Sequence, residues 1–289
     1  MANLRAIRTR IKSVENTQQI TKSMKMVAAA KLRKTQLAFG NLRAFSEKSA
    51  AMLQQVAPAA RESANPFLRD RAEAKTVCYV LIVGNRGLCG TFNTALLRYL
   101  EDQVRRDGRD CFLVVCGRWG KDMIAGTGLK VDRSFEISDT PDAGESRRVA
   151  DYLKELYLEG RADEIVLVYQ SYRSVLSQQP ARKTLLPLPK AQEQTGGGGE
   201  NFIFEPDRDS LLDSLVELYI NNSVHSALLE SRTGEHSARM TAMTAAADNT
   251  EELIGKLTLQ LNHARQAAIT TEISEIAGGA EALKNKDRQ

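Results

Sequence analysis

Proline is absent from both ends of this sequence. All seven prolines lie between Pro58 and Pro206, and 14 of the 19 glycines lie in the same interval. Because proline interrupts helices and glycine weakens them, the two ends permit long helices and the middle does not. We therefore predict an N-terminal helix over residues 1–58, a central domain over 59–206 and a C-terminal helix over 207–289.

Long apolar runs and paired cysteines are also missing. The longest apolar run, residues 77–83, is far shorter than the roughly 18 residues that cross a bilayer. No C-x-x-C spacing indicates a zinc or thioredoxin-like site. On one predicted strand, Cys111 and Cys116 would point to opposite faces about 16 Å apart, which is too far for a disulfide. We expect buried, reduced thiols.

No catalytic motif is present. His225, His236 and His263 are isolated, without an H-E-x-x-H pattern or a carboxylate cluster to complete a metal site. The glycine-rich segment 84–90 matches neither the dinucleotide fingerprint nor the P-loop. We interpret it as a structural turn, with an anion site at a helix N-terminus as the alternative. The sequence thus predicts no catalytic residue, cofactor or metal.

Both ends carry the apolar periodicity of coiled coils. The N-terminal pattern begins with Leu4, Ile7, Ile11 and Val14. It then meets Gln18 and Thr21, and apolar residues move to Ile20, Met24 and Val27, which predicts a stutter or a change of partner.

The C-terminal pattern keeps one register from residue 212 to residue 271. It predicts one helix of about 100 Å that ends near Gly278 and Gly279. The two ends can pair as an antiparallel coiled coil. A helical bundle or a homodimeric coiled coil remains an alternative.

The central part alternates between strand and helix patterns. Strands are predicted at 76–83, 111–116 and 164–170, and helices at 91–105 and 145–158. This βαβ order and the continuous apolar strands favour a parallel, doubly wound sheet. Residues 183–188 and 201–204, around a glycine tip at 196–199, predict an edge hairpin.

Positive charge is concentrated at the start of the chain. Residues 1–43 hold ten Lys or Arg and one acidic residue, Glu15. Such a segment fits an anionic partner, which could be a phosphate backbone or an acidic protein surface. No aromatic residue precedes Phe39, so no stacking platform for single-stranded nucleic acid accompanies the charge. A nucleic-acid-binding coiled coil and a nucleotide-binding module at the glycine turn are the two alternatives to a protein-assembly role.

Three blocks of the sequence are distinctive. They are SVENTQQITKSMKMVAA at 13–29, preceded by Ile7 and Arg8; RGLCGTFN at 86–93; and the pair EHSARM at 235–240 and ARQAAITTE at 264–272. Together they resemble the γ subunit family of F-type ATP synthases, across nearly the whole chain. The second block is similar to the family's R-G-L-C-G-G-F-N turn, with Thr91 at a position where the family usually has glycine.

The resemblance implies a fold class and a function. The fold would be α/β, with a long antiparallel coiled coil of the terminal helices and a central doubly wound, Rossmann-like domain. The chain would be the non-catalytic central-stalk rotor, inside a hexamer of α and β subunits and bound to the ε subunit and the c-ring. It would lie peripherally at the cytoplasmic face of the plasma membrane, attached only through the complex, without nucleic acid and without a cofactor.

The resemblance also implies contact residues. Contacts with α and β are implied for Lys22, Met24, Lys25, Arg239, Arg265, Gln266, Thr270 and Glu272. Met24 and Lys25 would face an acidic helical hairpin of β, and Lys31, Arg33 and Lys34 would extend that basic face. Contacts with c-ring loops are implied for Phe202 and Glu205.

Overall fold

The fold consists of two very long helices and a five-stranded sheet with its own helices. The structure, a computed structural model, describes residues 2–56, 65–68, 75–188 and 207–286. The elements are α1 (Ala2–Val56), β1 (Thr76–Ile82), α2 (Phe92–Asp107), β2 (Asp110–Cys116), α3 (Gly120–Ile124), β3 (Val131–Phe135), α4 (Ala143–Leu158), β4 (Glu164–Ser174), β5 (Ser177–Leu186) and α5 (Arg208–Lys286). The chain divides into two compact units, Met1–Met26 with Ala242–Gln289, and Val27–Thr241.

The first unit is an antiparallel coiled coil of the two chain ends, as predicted. On the α5 side the buried or half-buried positions follow the predicted register, with Met243, Ala247 and Leu257 the most buried. Burial stops after Ala268, and Thr271 and the described residues that follow are exposed. Each helix therefore buries one stripe and leaves the rest of its surface open.

The predicted shift of the α1 pattern is wrong. Ile20 and Val27 are 60% and 54% exposed, whereas Thr21 is 8% exposed and continues the original register between half-buried Gln18 and Met24. The Thr21 hydroxyl donates a hydrogen bond to the Gln18 carbonyl at 2.9 Å. A threonine can lie in the seam because its own helix satisfies the hydroxyl.

The predicted end of the C-terminal helix is also wrong. The helix α5 continues past Gly278 and Gly279 to Lys286, and neither glycine takes the left-handed conformation that ends helices. A glycine inside a helix costs only about 1 kcal/mol relative to alanine. The strong helix formers that follow offset that cost.

The second unit contains a doubly wound sheet with the strand order β3-β2-β1-β4-β5. The first four strands are parallel, and β5 pairs antiparallel with β4. One face packs against α4 and the adjacent part of α5, and the other packs against α2 and α3. Both faces are covered, which explains why β1, β2 and β4 are continuously apolar.

Two details of the sheet differ from the sequence prediction. The residues predicted to begin an edge hairpin, 183–188, belong to the end of β5 and the two residues after it, and the partner of β5 is β4, through a tight turn at Val175 and Leu176. Residues 196–204 lie outside the described part of the chain. The strand β3 was not predicted, because its sequence VDRSF is mostly polar and its side chains are half-exposed at the edge.

The prediction of buried, reduced thiols fits three of the four cysteines, and Cys111 differs in its burial. Cys78, Cys89 and Cys116 are buried, Cys111 is half-buried, and all four are free thiols. Across the described helices, none is long and apolar enough to cross a bilayer.

Core packing can be tested with one buried and one exposed leucine. Leu153 on α4 is fully buried, whereas Leu176 at the β4–β5 turn is 84% exposed. We expect Leu153→Ala to lower the free energy of unfolding by about 2–5 kcal/mol through the lost burial and the cavity. Leu176→Ala should change it by less than about 0.5 kcal/mol. Urea unfolding measures both, and equal effects would contradict this packing.

Candidate functional site

A buried cluster of three charged residues holds α5 against the carboxyl ends of the parallel strands. Arg232, Glu235 and Arg239 are 1%, 1% and 8% exposed. Both arginines donate to the Glu235 carboxylate, Arg232 Nη1 at 2.6 Å and Arg239 Nη2 at 2.7 Å. Their i, i+3 and i, i+4 spacings place the three side chains on one face of the helix.

The cluster also binds the loops that follow β1 and β3. Arg232 donates to the Val83 and Ile137 carbonyls and to Asn85 Oδ1. Arg239 donates to the Arg86 and Gly87 carbonyls. The guanidinium forks therefore join three segments that lie far apart in the sequence.

The Glu235 carboxylate lies against the start of the glycine turn. Its Oε1 accepts from the Asn85 amide at 3.2 Å, and the Gly84 amide donates to Asn93 Oδ1 at 2.9 Å. A Cβ at Gly84 would lie 3.0 Å from Glu235 Cδ, so glycine permits this approach. The chain thus supplies its own anion at an edge where doubly wound proteins bind ligands, which argues against the nucleotide alternative.

Burial and ion pairing have opposite effects on the pKa of the Glu235 carboxyl group. Burial acts to raise the pKa of its carboxyl group, but the charges and hydrogen bonds of Arg232 and Arg239 outweigh burial and lower that pKa. The carboxylate therefore stays ionised and balances one of the two buried guanidinium charges. Removing it would leave two cations without an anion in the interior.

His236 is held neutral beside this cluster. Its Nε2 lies 3.2 Å from the Asp139 carbonyl, and its Nδ1 lies 3.4 Å from Arg239 Nη1. The carbonyl requires a proton on Nε2, and the guanidinium requires a bare Nδ1. Burial lowers the pKa of His236 in agreement with this arrangement, and burial likewise lowers the pKa of His225, whose Nε2 contacts the Pro141 carbonyl.

The other candidate surface is the exposed side of the coiled-coil unit. Lys22 and Lys25 are exposed beside half-buried Met24 on α1. On α5, Arg265, Gln266, Thr270 and Glu272 are all exposed. Within the described residues, neither Arg265 nor Glu272 forms a salt bridge, so both charges are available to a partner.

Comparison with known proteins identifies the family. A family model described as ATP synthase matches residues 3–283. The ATP synthase gamma chain of Desulforamulus reducens is 43% identical over 285 residues, covering 98% of this chain and all of the relative. That of Heliobacterium modesticaldum is 40% identical over 292 residues, with the same coverage. This chain belongs to the ATP synthase gamma chain family.

The fold agrees with the family. The chain is similar to one from the Euglena gracilis mitochondrial ATP synthase rotor, with a TM-score of 0.68, 20% identity and coverage of 93% of this chain and 99% of that one. As a gamma chain, the protein is a central-stalk subunit of ATP synthase and a peripheral part of a membrane complex. The resemblance on which the sequence prediction rested is confirmed.

The backbone conformation of the glycine turn explains why a threonine is accepted at position 91. Thr91 immediately precedes α2 with φ −89° and ψ 7°, which any residue can adopt. The residues of this turn with positive φ are Leu88 and Gly90. The turn therefore does not need a glycine at position 91.

Not every predicted contact residue lies on the gamma-chain surface. Arg239 is turned inward, and its donors are used by Glu235 and the glycine turn. Lys31 forms an ion pair with Asp139 and does not extend the basic face as a free charge. Phe202 and Glu205 lie outside the described residues. Sequence reasoning missed Arg232 and Glu235 because one amino-acid sequence does not show which charged side chains become buried in the fold.

The buried cluster predicts a large effect of a small substitution. Glu235→Gln keeps the side-chain size but leaves the Arg232 and Arg239 charges uncompensated, and we expect it to destabilise the chain by about 3–5 kcal/mol. Glu47→Gln, which breaks the exposed ion pair with Arg43 on α1, is the control and should leave stability nearly unchanged. Urea midpoints of the two variants check this, and a midpoint for Glu235→Gln equal to that of the control would contradict it.

His236 predicts a loss of stability in mild acid. Its folded-state pKa is lowered, so its contribution is present above the unfolded-state pKa and is lost as pH falls through the folded-state value. Between about pH 7.5 and about pH 5.5, which brackets the ordinary histidine pKa, the wild-type chain should lose more stability than His236→Gln. Exposed His263→Gln is the control and should follow the wild type; identical pH profiles for all three would refute the assignment.

Proposed function

We propose that this gamma chain is the rotating shaft that couples ion flow through a membrane c-ring to ATP synthesis and hydrolysis on the β subunits. It would turn inside a hexamer of α and β subunits, bind the ε subunit, and lie at the cytoplasmic face of the energy-transducing membrane. The similar chains of the Euglena gracilis mitochondrial ATP synthase belong to its rotor and to an OSCP/F1/c-ring assembly. Family membership selects this role over the nucleic-acid and nucleotide alternatives.

We also propose that the chain has no catalytic site of its own. The carboxyl edge of the sheet, where a ligand would bind in other doubly wound proteins, is filled by Arg232, Glu235 and Arg239. Nucleotide chemistry would therefore belong to the partner subunits. The chain would act by changing which side of its surface faces each of them.

The exposed polar surface of the coiled-coil unit carries the proposal. Arg265, Gln266, Thr270 and Glu272 follow one another over two turns of α5 and are exposed. The Thr270 hydroxyl is bonded to its own helix, at the Gln266 carbonyl. A rotor must release each contact as it turns, so several contacts of modest strength suit it better than one strong contact.

The remaining predicted contacts belong to the same proposal. Lys22, Met24 and Lys25 would meet the acidic hairpin of β, and Phe202 and Glu205 would meet the c-ring loops. Arg239 is 8% exposed and binds Glu235, His236 and the glycine turn, so we assign it to the internal cluster. The membrane would be reached only through the other subunits.

The proposal is tested with the assembled enzyme. A tagged gamma chain should co-purify with the α, β and ε subunits, and Arg265→Glu should lower gradient-driven ATP synthesis by about fivefold or more, as expected for loss of an interfacial arginine. Lys256→Glu makes the same charge change on the exposed side of α5 and should have a smaller effect. Unimpaired synthesis in the Arg265→Glu complex would contradict the proposed contact at Arg265. Failure of the wild-type chain to assemble would overturn the proposed function.

A further inference from the structure

Two polar contacts connect α1, the carboxyl edge of the sheet and α5 within the Val27–Thr241 unit. In the first, which we call the Asp139 contact, Lys31 Nζ lies 2.5 Å from Asp139 Oδ2. The Asp139 carbonyl accepts from His236 Nε2 at 3.2 Å. One loop residue after β3 therefore binds both long helices, with its carboxylate on α1 and its main chain on α5.

The second contact, the Tyr172 contact, has the same construction on β4. Gln36 Nε2 donates to the Tyr172 hydroxyl at 2.6 Å. The Tyr172 amide donates to Glu230 Oε1 at 2.8 Å, and the same oxygen accepts from the Ser171 hydroxyl at 2.8 Å. Again the side chain of one sheet residue binds α1 and its main chain binds α5.

Each contact rests on a segment that is itself held by hydrogen bonds to its neighbours. Tyr172 is paired with Gln178 in the β4–β5 ladder. Two sets of hydrogen bonds hold the loop that carries Asp139. Asn85 Nδ2 donates to the Ile137 carbonyl at 2.6 Å, and the Glu145 carboxylate accepts from the main-chain N–H and the hydroxyl of Ser138. Neither contact therefore depends on a loop that is free to follow the helices.

The order of the contacts matches an antiparallel helix pair. Along α1 the Asp139 contact comes first, at Lys31, and the Tyr172 contact follows at Gln36. Along α5 the order is reversed, with Glu230 before His236. The strands β3 and β4 lie on opposite sides of β1 in the sheet, so the two contacts hold the helix pair from two sides.

Such contacts are more important for geometry than for stability. The Lys31 and Asp139 side chains are 32% and 29% exposed, and a pair so open to water contributes at most about 1 kcal/mol. The ion cluster and the core already hold α5 on the sheet. On α1, a second contact about 7 Å from the first opposes rotation of that helix about a single point.

We propose that the Asp139 and Tyr172 contacts transmit torque between the α/β sheet and the α1–α5 helix pair. Lys31, Gln36, Asp139 and Tyr172 are then positioning residues, which fix the angle between the two parts and touch no substrate. This inference rests on the proposed rotor function and adds to it the joint through which the torque passes.

The experiment uses membrane vesicles that contain the assembled ATP synthase. Lys31→Met removes the ion pair between α1 and Asp139. Tyr172→Phe removes the hydroxyl that Gln36 binds, but keeps the ring and the hydrogen bond from the main-chain N–H to Glu230. For each variant and for the double variant, two rates are compared: ATP hydrolysis with the gradient dissipated by an ionophore, and ATP synthesis driven by the gradient. Lys256→Met, which breaks an exposed ion pair within α5, is the matched control.

We expect the rate of ATP hydrolysis without a gradient to stay near that of the wild type. The rate of gradient-driven synthesis should fall by about twofold or more in each single variant, which is the size of effect that mutations along a coupling network have. Synthesis should fall further in the double variant, and Lys256→Met should leave it unchanged. Exchanging the charges with Lys31→Asp and Asp139→Lys together should restore synthesis, because Asp139 binds His236 only through its carbonyl. This rescue separates torque transfer from a general loss of structure.

Three results would overturn the inference: wild-type synthesis in the double variant, equal losses of free hydrolysis and synthesis, or no rescue by the charge exchange. All three leave the rotor function intact if the wild-type chain assembles and supports synthesis. A wild-type chain that does neither would instead refute the proposed function and this inference with it.

Discussion

The ion cluster of Arg232, Glu235 and Arg239 is the interaction on which the rest of the second unit depends. Two guanidinium groups and one carboxylate are almost fully removed from water, and they persist there because each is bonded to the other charges or to main-chain groups of two loops. The cluster fixes α5 across the carboxyl ends of the strands. A crevice that commonly holds a ligand in this fold class thereby becomes the attachment site of a helix.

A single helix thus works in two environments. Residues 227–237 of α5 are buried almost without interruption, whereas beyond residue 241 only one stripe of the helix is buried. The first segment is part of a domain core, and the second shares a narrow seam with the start of α1. The exposed polar residues that remain in the coiled-coil unit are suited to contacts that form and break, which is what a rotor subunit requires of its surface.

Small polar residues lie at buried positions of both long helices. Thr35, Ser49 and Thr233 are buried, and each hydroxyl donates to a carbonyl one turn earlier in its own helix. The hydroxyls therefore need no partner on another element. Polar residues at buried helix positions are thus compatible with packing inside one chain.

The sequence by itself determined the elements that depend on local spacing. The α5 register, the helical ends and the strands β1, β2 and β4 follow from periodicity and from where proline and glycine are absent, and three motif blocks were enough to identify the family. The contacts at Phe202 and Glu205 remain predictions. Tertiary structure alone decided that Arg239 turns inward, that Lys31 is paired with Asp139, and that β3 completes the sheet. The reason is physical: Glu235 meets Asn85 across 150 positions, and the burial that makes a charge need its partner exists only after the chain has folded.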